Sequence, residues 1–505
     1  MSREWSPQQR AVFEWFRAGT GNLVVRARAG TGKTTTIIEG LTYAPERSIL
    51  LAAFNKRIAE ELQAKIRNPN ATAATLHSVG YKIVMRYWER TRPDSARGER
   101  LARAAAGMDA PDAMVRLVTK LAGLAKGMAP WGTQDELCDI AERHECVPDE
   151  EWEEDGWDVE RVARYARDAM ERARDRDPER VIDFDDMLYL PPANKWAAGK
   201  YDLVVIDECQ DMNAAQIELA QRVCRPGGRI VVVGDDRQAI YGFRGADSGS
   251  IDRLKGALKA TELPLNITYR CAQTIVRAAA EIVPDYKAAP SAPAGTIDTM
   301  AEDKMVASAE PGDFVLSRKN APLARTCLAL LKAGKRARIA GADIGKGLIA
   351  IVEKLKARSI PELLGKLEAW KDRQVARAAT LKKPEDKIAL VTDQADTIRS
   401  IAESLASVRE VRTRIETLFS DNGPPAIVCS SVHKAKGLEA ETAYVLKWTL
   451  KGRTATEEAN IEYVAITRAK TRLVWVTEGA SAPAAEKKPE PVAGPQPFEN
   501  IGGGK

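Results

Sequence analysis

Apolar and polar positions along this chain follow two periods, and the changes between them outline an α/β protein. SPQQRAVFEWFRAG has the apolar spacing of an amphipathic helix whose first turn follows Ser6-Pro7. NLVVRARAGTGKTTTIIEGL predicts a strand, a glycine loop and a helix. SILLAAF predicts a second short strand, and NKRIAEELQAKI a helix. Residues 86–180 are rich in Arg, Ala and Glu, have helical periodicity and almost no strand pattern, and carry the acidic run PDEEWEEDGWD, which predicts a solvated loop. Strand patterns return after DFDDM, in YDLVVIDECQD and GRIVVVGDDRQ. The pattern is mixed from LPLNITYR onward, with FVLSR and ARIAG as short strands. Residues 348–423 are helical and charged. AIVCSSVHKAKGLEAETAYVL resumes the strands, and RLVWVT is the last of them. From residue 478 the chain turns to Ala, Pro, Lys, Glu and Gly, a composition that cannot bury a core and predicts a flexible tail. The pattern is two α/β cores, each interrupted by a helical insertion.

Composition narrows this picture only modestly. A chain of 505 residues has room for two to four domains. A formal charge of +5 is mildly basic, so any anion site must come from local clustering. Seven cysteines without a CxxC pair, and three histidines, give no metal-ligand cluster and fit a reducing compartment. No apolar run reaches the ~18 residues needed to span a bilayer. MSREWSPQQ has no signal-peptide pattern, so a cytoplasmic location away from any membrane is expected.

The chemistry starts at ARAGTGKT, which follows a strand and opens a helix. Gly30 and Gly32 let backbone amides approach phosphate closely, and Ala29 to Thr35 line the anion site. Lys33 can reach the terminal phosphates, and the Thr34 hydroxyl can ligate Mg²⁺. Ala27 stands where the phosphate-loop pattern has its first glycine. LVVIDECQD supplies the other half: Asp207 for Mg²⁺ and Glu208 to polarise the attacking water. Together they predict a nucleoside triphosphatase using ATP and Mg²⁺.

DECQD, GDDRQAIYGFRGA, LNITYR, VHKAKGLE and YVAITRAK, in that order, resemble the motifs of superfamily 1 DNA helicases of the UvrD/Rep/PcrA type. The resemblance runs from about residue 5 to residue 476, apart from the two insertions. It implies two RecA-like P-loop domains with parallel sheets, each carrying a helical insertion. The expected boundaries are 1–85 and 181–262 for domain 1A, 86–180 for insertion 1B, 263–347 and 424–477 for domain 2A, 348–423 for a short insertion 2B, and 478–505 for the tail. By the same resemblance, Gln9 reads adenine, with Gln8 as the alternative. Tyr269 stacks on the base and Glu439 binds the ribose. Arg270 and Arg468 are arginine fingers. Gln238 senses both the γ-phosphate and the water, since its amide both donates and accepts.

The same motifs imply single-stranded DNA and its junctions with duplex as substrate. Tyr241 and Phe243 offer faces for bases and Arg244 a charge. Phe54 and Asn55, Thr75 and His77, and His433 resemble further DNA contacts. The family has Trp where Phe243 stands, and one more residue between the aromatic and Asn-Lys near Phe54. The implied activity is 3′→5′ translocation with unwinding, in replication, repair or recombination, by a monomer. The tail is a spacer or recruits a protein partner. Three other readings stay open: a translocase that displaces proteins with little unwinding, a phosphotransferase or GTPase on the same loop, and a non-catalytic loader.

Overall fold

The structure is a computed structural model, and it describes residues 4–53, 55–144, 146–148, 155–240, 250–379, 384–420, 424–451 and 455–478. Two six-stranded, wholly parallel sheets organise it. The first has the spatial order Ala71–Thr75, Ile49–Ala53, Tyr201–Ile206, Cys224–Gly234, Leu23–Ala27, Thr261–Leu265. Its inner strands are near-continuous apolar runs because both faces are covered by helices; Leu23, Val25, Leu50, Val204 and Val231 have no exposed surface. The register places Val24 beside Val232 and Val205 beside Val231. The second sheet has the order Thr296–Ala301, Ala469–Thr477, Ala440–Leu446, Phe314–Ser317, Ile427–Ser431, Ala337–Ile339. The helix Pro7–Ala18 starts on a reciprocal cap, with Gln9 N–H donating to Ser6 Oγ at 3.2 Å and Ser6 N–H to Gln9 Oε1 at 3.0 Å.

Two expected boundaries fall inside elements. Residue 262 lies within the edge strand Thr261–Leu265, which hydrogen-bonds to Leu23–Ala27 and so belongs to the first sheet. Residue 348 lies within the helix Ala342–Leu355. The chain passes from the first lobe to the second through Asn266.

The two insertions are built differently. The first contains the helices Arg97–Ala106, Asp112–Met128, Gln134–Arg143 and Val159–Ala173 around a core that includes Val115, Val118, Leu121 and Ala166. A buried charge network braces it: Arg97 pairs with Asp186, and Lys126 Nζ lies 2.6 Å from Asp183 and 2.7 Å from Asp186. The second contains Ala342–Leu355, Ile360–Ala378, Pro384–Ala402 and Val408–Leu418. Its buried Leu348, Leu363, Ile398 and Ile415 share one continuous core with Val315, Cys327, Ile427 and Tyr444 of the second lobe. This insertion is therefore welded to its sheet. The insertions also touch, where Arg377 donates to the carbonyls of Val147, at 2.6 Å, and Pro148. Among the described residues no helix is long and apolar enough to cross a membrane.

Candidate nucleotide site and its neighbours

In a parallel sheet the carboxyl ends of the strands share one edge, and that is where ligands bind. The first sheet brings five such ends together. Leu23–Ala27 leads into the loop at 28–34, Ala71–Thr75 into His77, Tyr201–Ile206 into Asp207, and Cys224–Gly234 into Asp235; Ile49–Ala53 ends just before Asn55. Residues 120 or more apart in sequence thus meet without any of them needing a long loop.

The phosphate loop turns through Gly30 and Gly32, at φ 69° and 78°. Gly30 is needed twice, since a Cβ there would also lie 2.5 Å from Arg270 Cβ and 2.6 Å from Thr268 Oγ1. Lys33 Nζ lies 2.8 Å from Glu208 Oε2, and Thr34 Oγ1 donates to Asp207 Oδ2 at 3.0 Å. Glu208 reaches Lys33 from a left-handed backbone, φ 51°, a conformation that costs a non-glycine residue ~1–2 kcal/mol. Burial opposes charge on both carboxylates. For Glu208 the ammonium of Lys33 outweighs burial and holds the group below its ordinary range. For Asp207 burial and the adjacent Glu208 charge win and push it up. Thr31 folds its hydroxyl onto Arg28 O at 2.9 Å, and Thr35 is half-buried on the first helical turn.

Among the described residues no group of three or more His, Cys, Asp or Glu side chains could hold a metal ion alone. The oxygen pair Thr34–Asp207 suits a hard cation that takes its remaining ligands from phosphate and water. Mg²⁺ fits that donor set.

A hydrogen-bonded chain leads away from this pair. Gln210 is fully buried; its Nε2 donates to Glu208 Oε2 at 2.7 Å and its Oε1 accepts from Asp235 N–H at 3.1 Å. Asp235 Oδ2 in turn accepts from Gln238 Nε2 at 2.8 Å. The second lobe docks on the same segment: Lys436 Nζ lies 2.6 Å from Asp211 and donates to Gln238 O at 2.7 Å, and His433 lies against the backbone of Ile240.

The two predicted fingers differ. Arg270 pairs with Glu439, Nε to Oε2 at 2.6 Å, and Glu439 also holds Lys470 at 3.2 Å. Glu439, expected to bind a ribose, is here engaged with those cations. Arg468 is 1 % exposed and spends its donors on Val464 O, Leu438 O and Thr467 Oγ1, at 2.9, 2.9 and 3.1 Å. Among the described residues it makes no ion pair. Burial, then the nearby Arg270, lower its pKa to about 10, so it stays cationic without a counter-charge. Arg97, as deeply buried as Arg468, is neutralised by Asp186 and Asp177.

Gln9, expected at the adenine, is 2 % exposed and committed to the cap and to Thr36 Oγ1 at 3.0 Å, next to Gly32. Gln8, the alternative, holds Asn266 through Nε2–Oδ1 at 2.7 Å and the Asn266 N–H at 3.1 Å. Each carboxamide spends one donor hydrogen and one acceptor lone pair on these bonds and keeps one of each for a base. Tyr269 is 46 % exposed beside the loop, its N–H on Gly30 O at 2.9 Å, and its ring is available for stacking.

Of the expected DNA contacts, Phe54, Tyr241, Phe243 and Arg244 lie outside the described residues. Asn55 caps the helix Lys56–Lys65 through Ile58 N–H at 2.9 Å, and Thr75 caps Leu76–Tyr87 through Ser78 N–H at 3.1 Å. His77 stacks on Phe184, centroids 4.1 Å apart and planes 20° apart, and Phe184 is 62 % exposed. Sequence reasoning missed Phe184, although DFDDM sets one aromatic among three acids, off both the strand and the helix patterns. Burial lowers the pKa of His77 to about 4; burial and the Arg318 charge do the same for His433.

Residues 5–259 match the UvrD/REP helicase N-terminal domain, and residues 426–476 the UvrD-like helicase C-terminal domain. The chain is 25 % identical over 302 residues to the ATP-dependent DNA helicase PcrA of Staphylococcus epidermidis, covering 55 % of this chain and 39 % of that one. It is 26 % identical over 304 residues to DNA helicase II of Rickettsia typhi, covering 53 % of this chain and 43 % of that one. The matches thus span about two fifths of the length of these relatives.

Proposed function

The chain belongs to the UvrD/REP helicase family, and on that premise we propose that it is an ATP-dependent DNA helicase that moves 3′→5′ on single-stranded DNA and opens duplex ahead of it. The observation that carries this reading is the hydrogen-bonded chain Lys33–Glu208–Gln210–Asp235–Gln238. It links the groups that would hydrolyse ATP to Gln238, which the sequence follows within six residues by two aromatics and an arginine. In the RecA-like division, the lobe of the first sheet binds ATP and the lobe of the second supplies the fingers.

ATP seated on the loop gives Lys33 phosphate oxygens in place of Glu208. The released carboxylate then takes a proton from water as its oxygen bonds to the γ-phosphorus and the bond to ADP breaks. Thr34 and Asp207 would hold Mg²⁺, which when bound would neutralise charge on the phosphates. Arg468 meets the developing anion with a charge that, among the described residues, has no ion-pair partner. Arg270 can join once it leaves Glu439. Gln238, freed or re-aimed by the phosphate, passes the change to 241–244, so grip on DNA alternates with nucleotide state.

The deciding experiment is ATPase activity with and without single-stranded DNA, followed by unwinding of 3′- and 5′-tailed duplexes. Stimulation by DNA and opening of the 3′-tailed substrate are expected. An ATPase indifferent to DNA would point to a phosphotransferase or GTPase instead. A second reading, displacement of bound proteins with little unwinding, is favoured by one observation: the insertion at 342–418 shares the core of its sheet. An insertion without its own core has little freedom to move against duplex. Efficient protein displacement beside poor strand separation would select this reading.

Phe184→Ala is expected to weaken single-strand binding by ~1–3 kcal/mol, the range for one stacked base, while DNA-free ATPase persists. Equal loss of both activities would make Phe184 a packing residue. Affinity for DNA should also fall steeply with salt, as counterions are released. At fixed ionic strength it should show no step near pH 6.5. With pKa values near 4, His77 and His433 are uncharged from pH 8 to 5 and meet phosphate as neutral groups. The unfolded chain takes up those protons first, so both histidines lower stability as pH falls below 6.5. A histidine-like inflection in DNA affinity near pH 6.5 would contradict this.

A further inference from the structure

Three consecutive residues of the phosphate loop, Arg28 to Gly30, are held from the opposite lobe. Arg28 is buried within that loop. Its Nη1 donates to Asp235 Oδ1 at 3.1 Å and to Asp236 Oδ1 at 2.8 Å, both just past the end of the strand Cys224–Gly234 in its own lobe. Its Nε lies 3.1 Å from both oxygens of Asp285, in the second lobe. The next residue, Ala29, gives its N–H to the Tyr463 hydroxyl at 3.0 Å and receives the Tyr286 hydroxyl on its carbonyl at 3.0 Å. Gly30 receives the Tyr269 N–H at 2.9 Å. Tyr286 and Tyr463 pack edge to face, centroids 5.6 Å apart, and are almost wholly buried.

We propose that Arg28, with the adjacent pair Asp285 and Tyr286, forms a clasp that ties closure of the two lobes to the position of the phosphate loop, with Arg28 as a positioning residue. The proposal rests on the reading of this loop as the ATP site. Its asymmetry explains how it would work. Asp235 has no exposed surface, so Arg28 cannot leave it without stranding buried charge, whereas Asp236 also holds Arg26 at 3.1 Å. Asp285 has a side chain 43 % exposed, and water can replace the guanidinium there. When the lobes part, Arg28 keeps its own-lobe carboxylates and gives up Asp285, and Ala29 and Gly30 lose their bonds to Tyr463, Tyr286 and Tyr269. When they close, the loop and Asp235 are drawn to the second lobe together. Asp235 also holds Gln238 and the backbone link to Gln210, so the same movement reaches the hydrolytic carboxylate and Gln238.

The test uses the full chain, a fluorescent N-methylanthraniloyl ATP with Mg²⁺, and the variants Asp285→Asn, Tyr286→Phe, Arg28→Gln and Arg28→Gln/Asp285→Asn. Asp285→Asn and Tyr286→Phe are each expected to weaken nucleotide binding about fivefold, the lower end of the range for coupled sites, because fewer molecules are closed. Melting should move by no more than about 2 °C. The double variant should bind no worse than Arg28→Gln alone. If Arg28→Gln does not fold, Asp285→Asn/Tyr286→Phe replaces it, and its loss should be smaller than the product of the single losses. Wild-type affinity in both single variants, fully multiplicative losses, or losses that track melting would each overturn the clasp. A second arm measures stimulation of ATPase by single-stranded DNA, which Asp285→Asn should cut about fivefold. If the wild type ignores DNA, the helicase reading falls and the nucleotide arm alone decides the clasp.

Discussion

Glu208→Gln should leave ATP bound and almost unhydrolysed, with turnover down about 10²–10⁴-fold, the span for loss of a positioned general base. The carboxylate lies 2.8 Å from Lys33 Nζ and 2.7 Å from Gln210 Nε2. The amide has nearly the same shape and keeps an oxygen for the Gln210 donor, but it cannot take a proton from water. The variant has a second, opposite effect on binding. Lys33 is held by Glu208 before nucleotide arrives, and the neutral amide releases it. Affinity for ATP should therefore rise while hydrolysis collapses. Equilibrium binding of a fluorescent ATP and steady-state phosphate release separate the two. Turnover within threefold of wild type would remove Glu208 from the chemistry. Tighter binding would still report the Lys33–Glu208 pair.

Arg468→Ala should lower turnover by about 10³-fold or more, the lower end of the range for an arginine finger, with a smaller change in ATP affinity. The reason is electrostatic. Arg468 is buried, cationic and bonded only to neutral oxygens at 2.9–3.1 Å, so an anion entering the cleft is its missing counter-charge. A structural brace would behave differently. Its removal would strand Val464 O and Leu438 O, lower the melting temperature and reduce every activity together. Arg468→Lys distinguishes the two, since it keeps the charge and loses the fork. Partial recovery of turnover at unchanged ATP affinity supports the finger. Loss of melting temperature with intact turnover per folded molecule would make Arg468 a brace.

Some elements were plain in the sequence and others were not, for a reason that burial explains. The inner strands, such as Leu23–Ala27 and Tyr201–Ile206, are covered on both faces and appear as unbroken apolar runs. The edge strands Ala71–Thr75, Thr261–Leu265 and Thr296–Ala301 are partly exposed and break their apolar residues with Thr, Glu or Asp, so no apolar run marked them in the sequence. Pro264 fits within Thr261–Leu265 because that strand lies at the edge of its sheet. The welding of the second insertion to its sheet was also invisible. Leu348 and Ile398 are apolar residues on helical spacing whether they pack on each other or on Val315.

The sequence by itself determined the chemistry available: a glycine-hinged loop carrying Lys33 and Thr34, acids at the ends of two strands, and the order of motifs that identifies the family. Those features are local, because a loop's torsions and a strand's apolar run are set by neighbouring residues. Only the tertiary structure decided which groups are already engaged and which are free. It set Lys33 against Glu208, Arg270 against Glu439, Gln9 against Thr36, and left Arg468 without an ion pair among the described residues. It also laid Phe184 on His77 and Arg28 between the lobes. Such pairings depend on distance across the fold, between residues up to 434 apart in the chain, and no local pattern encodes that distance.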